Sequence, residues 1–148
     1  MEFDKDFLGK LFEQAVTNPR LRQNFDLRTS PADTSQRMLN ALLPGTKVPI
    51  HRHEDSTETV ICLVGKLEEI IYEEVNEYVH ETTSCCDDVI RQKNFKEVSR
   101  QILSPAEGKL GIQIPAGAWH TINVIEPSVI FEAKDGAYNE SGNTTDKE

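Results

Sequence analysis

A chain of 148 residues carrying 25 Asp or Glu against 16 Lys or Arg, for a formal charge of −9, has the size of one domain and is too acidic for a general binder of nucleic acid or anionic membrane. At that length one core can bury about two thirds of the unfolded surface, and no apolar run approaches a signal sequence or a membrane span, so a soluble cytoplasmic protein is expected. Three cysteines cannot close into a set of disulfides, which agrees with a reducing compartment.

Phe3, Phe7, Leu8, Leu11, Phe12, Ala15 and Val16 recur at intervals of three and four, the apolar face of an amphipathic helix that Pro19 should end. That stripe needs burial on its own domain or on a neighbour's, and a homodimer is expected. Residues 26–34 read as an irregular connection. Short β-rich runs bounded by Gly and Pro follow at residues 36–43, 57–64, 66–75, 110–114, 119–125 and 128–134. Many short strands with such punctuation predict an all-β antiparallel sandwich or barrel. The organisation expected is a single domain over 1–136, comprising a helix and connecting arm (1–35) and a β-barrel (36–136), followed by a mobile tail at 137–148. Residues 76–100, with His80, Cys85, Cys86, Asp87 and Asp88, interrupt the barrel as a variable insertion, either a long hairpin or a segment with a helical turn.

Chemistry concentrates in two runs. His51 and His53 stand two apart, so on an extended strand both imidazoles leave one face, about 7 Å apart along the backbone. Pro49 favours extended geometry ahead of them, and Asp55, Ser56 and Thr57 supply a turn that can bring Glu58 back as an oxygen ligand. Glu54 directly follows His53 and should point to the opposite face. Downstream, Pro115, Ala116 and Gly117 form a turn before His120, so three of the four histidines lie in the two runs. His51, His53, Glu58 and His120 are therefore the expected ligands of one divalent transition metal: Fe, Mn, Ni, Co or Zn. Three imidazoles and one carboxylate leave one or two positions open for a substrate. The plainer alternative is a pair of packed, hydrogen-bonded histidines. His80 has no ligand spacing and reads as a loop residue, and Cys62 reads as a small core residue. Cys85 and Cys86 are alternative soft ligands without a second pair at zinc-finger spacing.

Bounded by Gly45 and Gly65, the run of His51, His53 and Glu58 resembles the first signature of the cupin superfamily at every position. Pro115, Gly117 and His120 resemble its second signature, with Asn123 one place earlier than the usual Asn. Gln36 to Leu42, Glu58-Thr59-Val60, residues 114–117 and residues 131–136 resemble the WbuC-type cupin-fold metalloproteins, a likeness covering residues 20–138. The resemblance implies a small antiparallel double-sheet jelly-roll barrel with an N-terminal helix, a bound metal and a setting among polysaccharide-related proteins. It leaves the reaction open.

Charge is uneven along the chain: residues 1–53 carry eight Lys or Arg against six Asp or Glu, and residues 54–148 carry eight against nineteen. Arg20, Arg22, Arg28, Arg37, Lys47 and Arg52 lead into the metal motif, and arginine suits bidentate recognition of phosphate or carboxylate. Arg52, between two ligands, should point away; Arg28, Arg37 and Lys47 are the expected substrate contacts. Glu132, Lys134 and Tyr138 are the candidate acid–base groups, although Glu132 and Lys134 share one strand face and also read as a solvent-side pair. Trp119 should face away from His120. The functional expectation is a metal-dependent enzyme acting on a small anionic, carbohydrate-related metabolite, with isomerase, epimerase or hydrolytic chemistry preferred. The alternatives are a non-catalytic ligand-binding or sensing protein and an iron-dependent dioxygenase.

Overall fold

The structure is a computed structural model that describes residues 1–83, 86–138 and 143–145, with side chains for residues 1–80 and 89–138. Helix α1 (Lys5–Thr17) starts where the Asp4 carboxylate accepts the Phe7 amide at 2.9 Å and stops at Asn18, one residue before Pro19. Its stripe packs on its own barrel: Leu11 and Ala15 are buried with Leu39, Ala41 and Val129, and Phe7, Phe12, Phe25 and Phe131 close around them. The helix needs no neighbour to cover it. Only the ends of the stripe, Phe3 and Val16, remain exposed.

Eight strands follow: β1 (Arg22–Asp26), β2 (Ser35–Leu42), β3 (His51–His53), β4 (Glu58–Thr83), β5 (Cys86–Leu103), β6 (Gly111–Ile114), β7 (Trp119–Asp135) and β8 (Asn143–Thr145). All pairings between them are antiparallel, giving the expected all-β barrel with one N-terminal helix. Strand β7 is its hub. One edge pairs with β2 from Ser35↔Asp135 to Leu42↔Ser128 and with β3 at His51↔His120. The other edge follows β4 from Glu58↔Lys134 to Tyr72↔Trp119.

Two pairs of expected strands merge, because the chain bends without ending. The register of β4 on β7 shifts between Cys62 and Leu67, and Gly65 sits in that bend with φ +95°. A Cβ on Gly65 would lie 2.2 Å from the Pro127 carbonyl oxygen and 2.4 Å from Ser128 Oγ, so only glycine fits. The Ser128 hydroxyl clamps the same corner, accepting the Lys66 amide and donating to the Glu126 carbonyl. Residues 76–83 and 86–100 belong to the two arms of a hairpin paired from Leu67↔Leu103 out to Thr83↔Cys86, the first of the two forms expected. Strand β1 has no counterpart among the expected strands; Phe25 is the one apolar residue in it, and pairing with β2 makes it a strand.

Strands β2 and β7 divide two cores by alternation. Leu39, Ala41, Val129 and Phe131 face the helix, while Leu42, Val124 and Ile130 join Val60, Cys62, Leu67, Leu103 and Ile114 inside the barrel. Of the tail, Asn143–Thr145 pairs with β3; residues 139–142 and 146–148, Cys85 and the Cys86 side chain lie outside the described residues. Among the described residues no helix is long and apolar enough to cross a membrane.

Leu11 is 3% exposed at the centre of the helix–barrel contact. Leu11→Ala should cost about 2–5 kcal/mol of stability in urea denaturation, whereas Val16→Ala, at an exposed position, should lie within about 0.5 kcal/mol of the parent.

Candidate metal centre

Strand β3 puts the His51 and His53 rings on one face with centroids 5.1 Å apart, and the register of β7 sets His120 directly across from His51 at 4.2 Å. The two motif runs are tied through the backbone: the Gly117 amide, at φ +80°, donates to the His53 carbonyl at 2.7 Å, and the Ala118 amide closes the turn on Pro115. Glu58 opens β4 beside them, with Oε2 2.7 Å from His53 Nε2, 3.6 Å from His120 Nε2 and 3.8 Å from Lys134 Nζ. One ligand atom from each of His51, His53, Glu58 and His120 lies within 4.8 Å of the other three, and all but His51 are buried.

The tautomers point to a cation. His51 Nδ1 stands 2.8 Å from the Pro49 carbonyl oxygen and His120 Nδ1 2.9 Å from that of Ala118. A carbonyl oxygen can only accept, so each Nδ1 carries its proton, and a neutral ring then directs a bare Nε2 lone pair into the site. Glu58 Oε2 and His120 Nε2 are both buried and face each other at 3.6 Å with no hydrogen bond between them. Two electron-rich atoms held this way in a water-poor site repel unless a positive ion lies between them. The four residues therefore fit a divalent transition metal.

Burial pushes the His51 imidazole down to about 4, with the neighbouring His120 acting in the same direction, so His51 is neutral at physiological pH. Burial alone would raise Glu58, but contacts with His120 and His53 and the Lys134 ammonium outweigh it and hold the carboxylate well below its usual range. Glu132, half-buried beside it, behaves oppositely: desolvation and the Glu58 charge push its carboxyl up to about 8, against the pull of Lys134 and Asn40. Glu69 is a third interior carboxyl, 1% exposed, with neither oxygen hydrogen-bonded. Burial and the charges of Glu58 and Glu132 raise it well above a normal carboxylic acid. Glu69 escaped the sequence reading because the bend at Gly65 changes which alternate residues of β4 face inward.

A cavity of about 330 Å³ opens from this centre. The ligands, Glu132 and Lys134 form its floor, Met38, Leu42 and Val48 its apolar wall, and Arg20, Arg22 and Asn24 its mouth. Glu132 and Lys134 thus face the site and not solvent. The other candidates are placed elsewhere. Arg28 binds Asp26 through paired hydrogen bonds, Arg37 binds Asp33 at 3.0 Å, and both line a separate depression of about 200 Å³ with Tyr138. The Arg28 guanidinium lies 5.8 Å over the Tyr138 ring, and neither residue lines the metal cavity. Lys47 is exposed and does not line the cavity; its carbonyl accepts from Arg22. Arg52 points away as expected, pairing with Glu54 and lying 4.7 Å over the buried Trp119 ring. Cys62 is a core residue whose thiol burial pushes up to about 11, and His80 is exposed on the hairpin.

His51→Ala or His120→Ala should abolish uptake of a stoichiometric divalent ion, while His80→Ala should load like the parent; elemental analysis after dialysis reads this directly. The metal-free protein should also lose stability as pH falls. Its unfolded chain binds a proton at position 51 near pH 6.5, but the folded chain binds it only near 4, so the loss develops across that window and reaches on the order of 3 kcal/mol at its acid end. Thermal melts of the parent and of His51→Gln between pH 7 and 4 should diverge accordingly.

No curated protein sequence matches the chain. Solved structures do, at the level of fold. Oxalate oxidase in complex with the substrate analogue glycolate is 12% identical with a TM-score of 0.56, over 87% of this chain and 57% of that one. CapF, the capsular polysaccharide assembling protein of Staphylococcus aureus, is 17% identical with a TM-score of 0.55, over 94% and 35%. Oxalate decarboxylase from Bacillus subtilis is 15% identical with a TM-score of 0.52, over 84% and 27%. The chain thus spans from about a quarter to just over half the length of these proteins and shares their cupin fold. The profile of a family described as a domain of unknown function, DUF6016, matches residues 3–84, a segment holding helix α1, the arginines of the cavity mouth and three of the four metal ligands. Its span exceeds half of the sequence, and the chain belongs to that family.

Proposed function

We propose that this cupin is a metal-dependent enzyme of the WbuC-like type, acting on a small anionic, carbohydrate-related metabolite by isomerase, epimerase or hydrolytic chemistry. The observation that carries the reading is the floor of the cavity, where a raised carboxyl and a buried amine stand beside the ligand cluster without belonging to it. A site that only held a metal would have no use for such groups, whereas proton transfer requires them. The resemblance in sequence to WbuC-type metalloproteins and the shared fold with the polysaccharide assembling protein CapF support the carbohydrate setting.

When bound, the metal would supply a Lewis acid to an oxygen of the ligand. The residues around it have separable tasks. Glu132, its carboxyl raised to about 8, holds a proton on the cavity wall near neutral pH and can give it up or take it back. The Lys134 ammonium, 11% exposed, offsets the Glu58 charge and offers a donor to the ligand. Met38, Leu42 and Val48 keep water from one side. Pairing of two copies through the barrel is part of the same proposal, and light scattering at micromolar concentration should give the mass of a dimer.

Proton transfer at carbon leaves a record in heavy water. The zinc- or manganese-loaded protein, incubated in D2O with a panel of aldonic acids and sugar phosphates, should exchange a carbon-bound proton of one of them, as read by NMR. Glu132→Gln should slow that exchange by roughly 100-fold or more while keeping the metal. Tight binding without exchange or product across the panel would favour the non-catalytic ligand-binding reading.

A further inference from the structure

Arg20 and Arg22 flank the cavity mouth and are exceptional among the basic residues near it. Arg28, Arg37 and Arg52 each have a carboxylate partner. Among the described residues neither Arg20 nor Arg22 forms an ion pair; Arg22 donates to the Lys47 carbonyl, and only the backbone of Arg20 makes hydrogen bonds. In an acidic chain, two unpaired guanidiniums side by side are an unbalanced arrangement. Burial and the charge of Arg20 work against the Arg22 cation, with Glu132 acting the other way.

Their placement is fixed by strained backbone. Leu21, between them, has φ +55°, a left-handed conformation that a residue with a Cβ rarely adopts. It is held there by the Leu21 amide on Asn18, the Leu43 amide on the Leu21 carbonyl and the Thr46 hydroxyl on the Arg20 carbonyl at 2.7 Å. Leu43, Thr46 and Lys47 belong to the connection from β2 to β3, so these hydrogen bonds and that from Arg22 to the Lys47 carbonyl tie both arginines to the loop ahead of His51. On β2, opposite Asn24 of β1, Asn40 lines the same cavity, and its Oδ1 is buried with no hydrogen-bond partner.

We infer that the Arg20 and Arg22 guanidiniums, Asn40 Oδ1 and the metal centre together form the binding site for a hydroxy acid of monosaccharide size or smaller: its anionic group on the arginines, a hydroxyl donating to Asn40, and an oxygen at the metal. The inference rests on the metal reading above and names the ligand class of that site. The volume of about 330 Å³ is at the low end for small-molecule sites and matches a sugar acid or sugar phosphate. The paired fork of two arginines suits a carboxylate or a phosphate, and the orphan acceptor selects against an acid without hydroxyls.

Calorimetry on cobalt-loaded protein tests this with gluconate, glucose 6-phosphate, the neutral polyol sorbitol and the hydroxyl-free acid hexanoate. Gluconate or glucose 6-phosphate should bind at least about tenfold more tightly than sorbitol or hexanoate. Whichever of the two binds better identifies the anionic group, and either ranking supports the site. Arg20→Ala and Arg22→Ala should each weaken the anion by about 10-fold or more, with cobalt content unchanged. Asn40→Ala should weaken gluconate while leaving hexanoate as it was. Arginine variants that bind like the parent, sorbitol or hexanoate binding as tightly as the hydroxy acids, or a cobalt-loaded parent that binds neither anion would overturn the ligand class and leave the metal centre standing. A parent that takes up no divalent ion in elemental analysis would instead overturn the metal centre, and this inference with it.

Discussion

Three imidazole rings and one carboxylate are pressed together at one end of an open cavity, three of the four buried, and the fold is arranged around keeping them there. Backbone carbonyls at Pro49 and Ala118 take the Nδ1 protons of His51 and His120, which turns the other ring nitrogens inward as lone pairs. Glu58 Oε2 then faces His120 Nε2 at 3.6 Å. Such a cluster is unfavourable for the empty protein and favourable around a cation, so metal affinity and apo stability are set against each other at the same four residues.

Strand β7 makes the cluster possible because it is paired on both edges at His120 and again from Val129 to Lys134. Its first half sets His120 against His51, and its second half carries Glu132 and Lys134 past Glu58. The corner at Gly65 and Ser128 lets β4 follow it around the bend, so Glu58 at one end of β4 and Glu69 beyond the bend both reach the interior. The helix contributes indirectly. By covering Leu39, Ala41, Val129 and Phe131 it fixes the outer faces of β2 and β7, whose inner faces line the cavity.

The interior electrostatics follow from crowding three carboxyls near one amine. Glu58 takes the negative charge because imidazoles and Lys134 surround it; Glu132 and Glu69 are then pushed toward the protonated form by burial and by that charge. The two protons so held differ in access. Glu132 lines the cavity, and Glu69 does not.

The cluster of His51, His53, Glu58 and His120 was legible in the sequence because each member depends on local geometry: alternate residues share a strand face, and a Pro-x-Gly turn precedes His120 at short range. For the same reason the helix and its end could be read from the spacing of its apolar residues and from Pro19. What tertiary structure decided are the features that require pairing between distant segments. Arg28 and Arg37 stand in the same basic stretch as Arg20 and Arg22, but carboxylates at Asp26 and Asp33 engage the first two while the Leu21 turn presents the others at the cavity. Burial of Glu69 depends on a register shift near Gly65, which changes inward for outward beyond it. Whether residues 76–100 formed a hairpin, and whether the helix stripe met its own barrel, were likewise long-range choices: local pattern states which face is apolar, and only packing states what covers it.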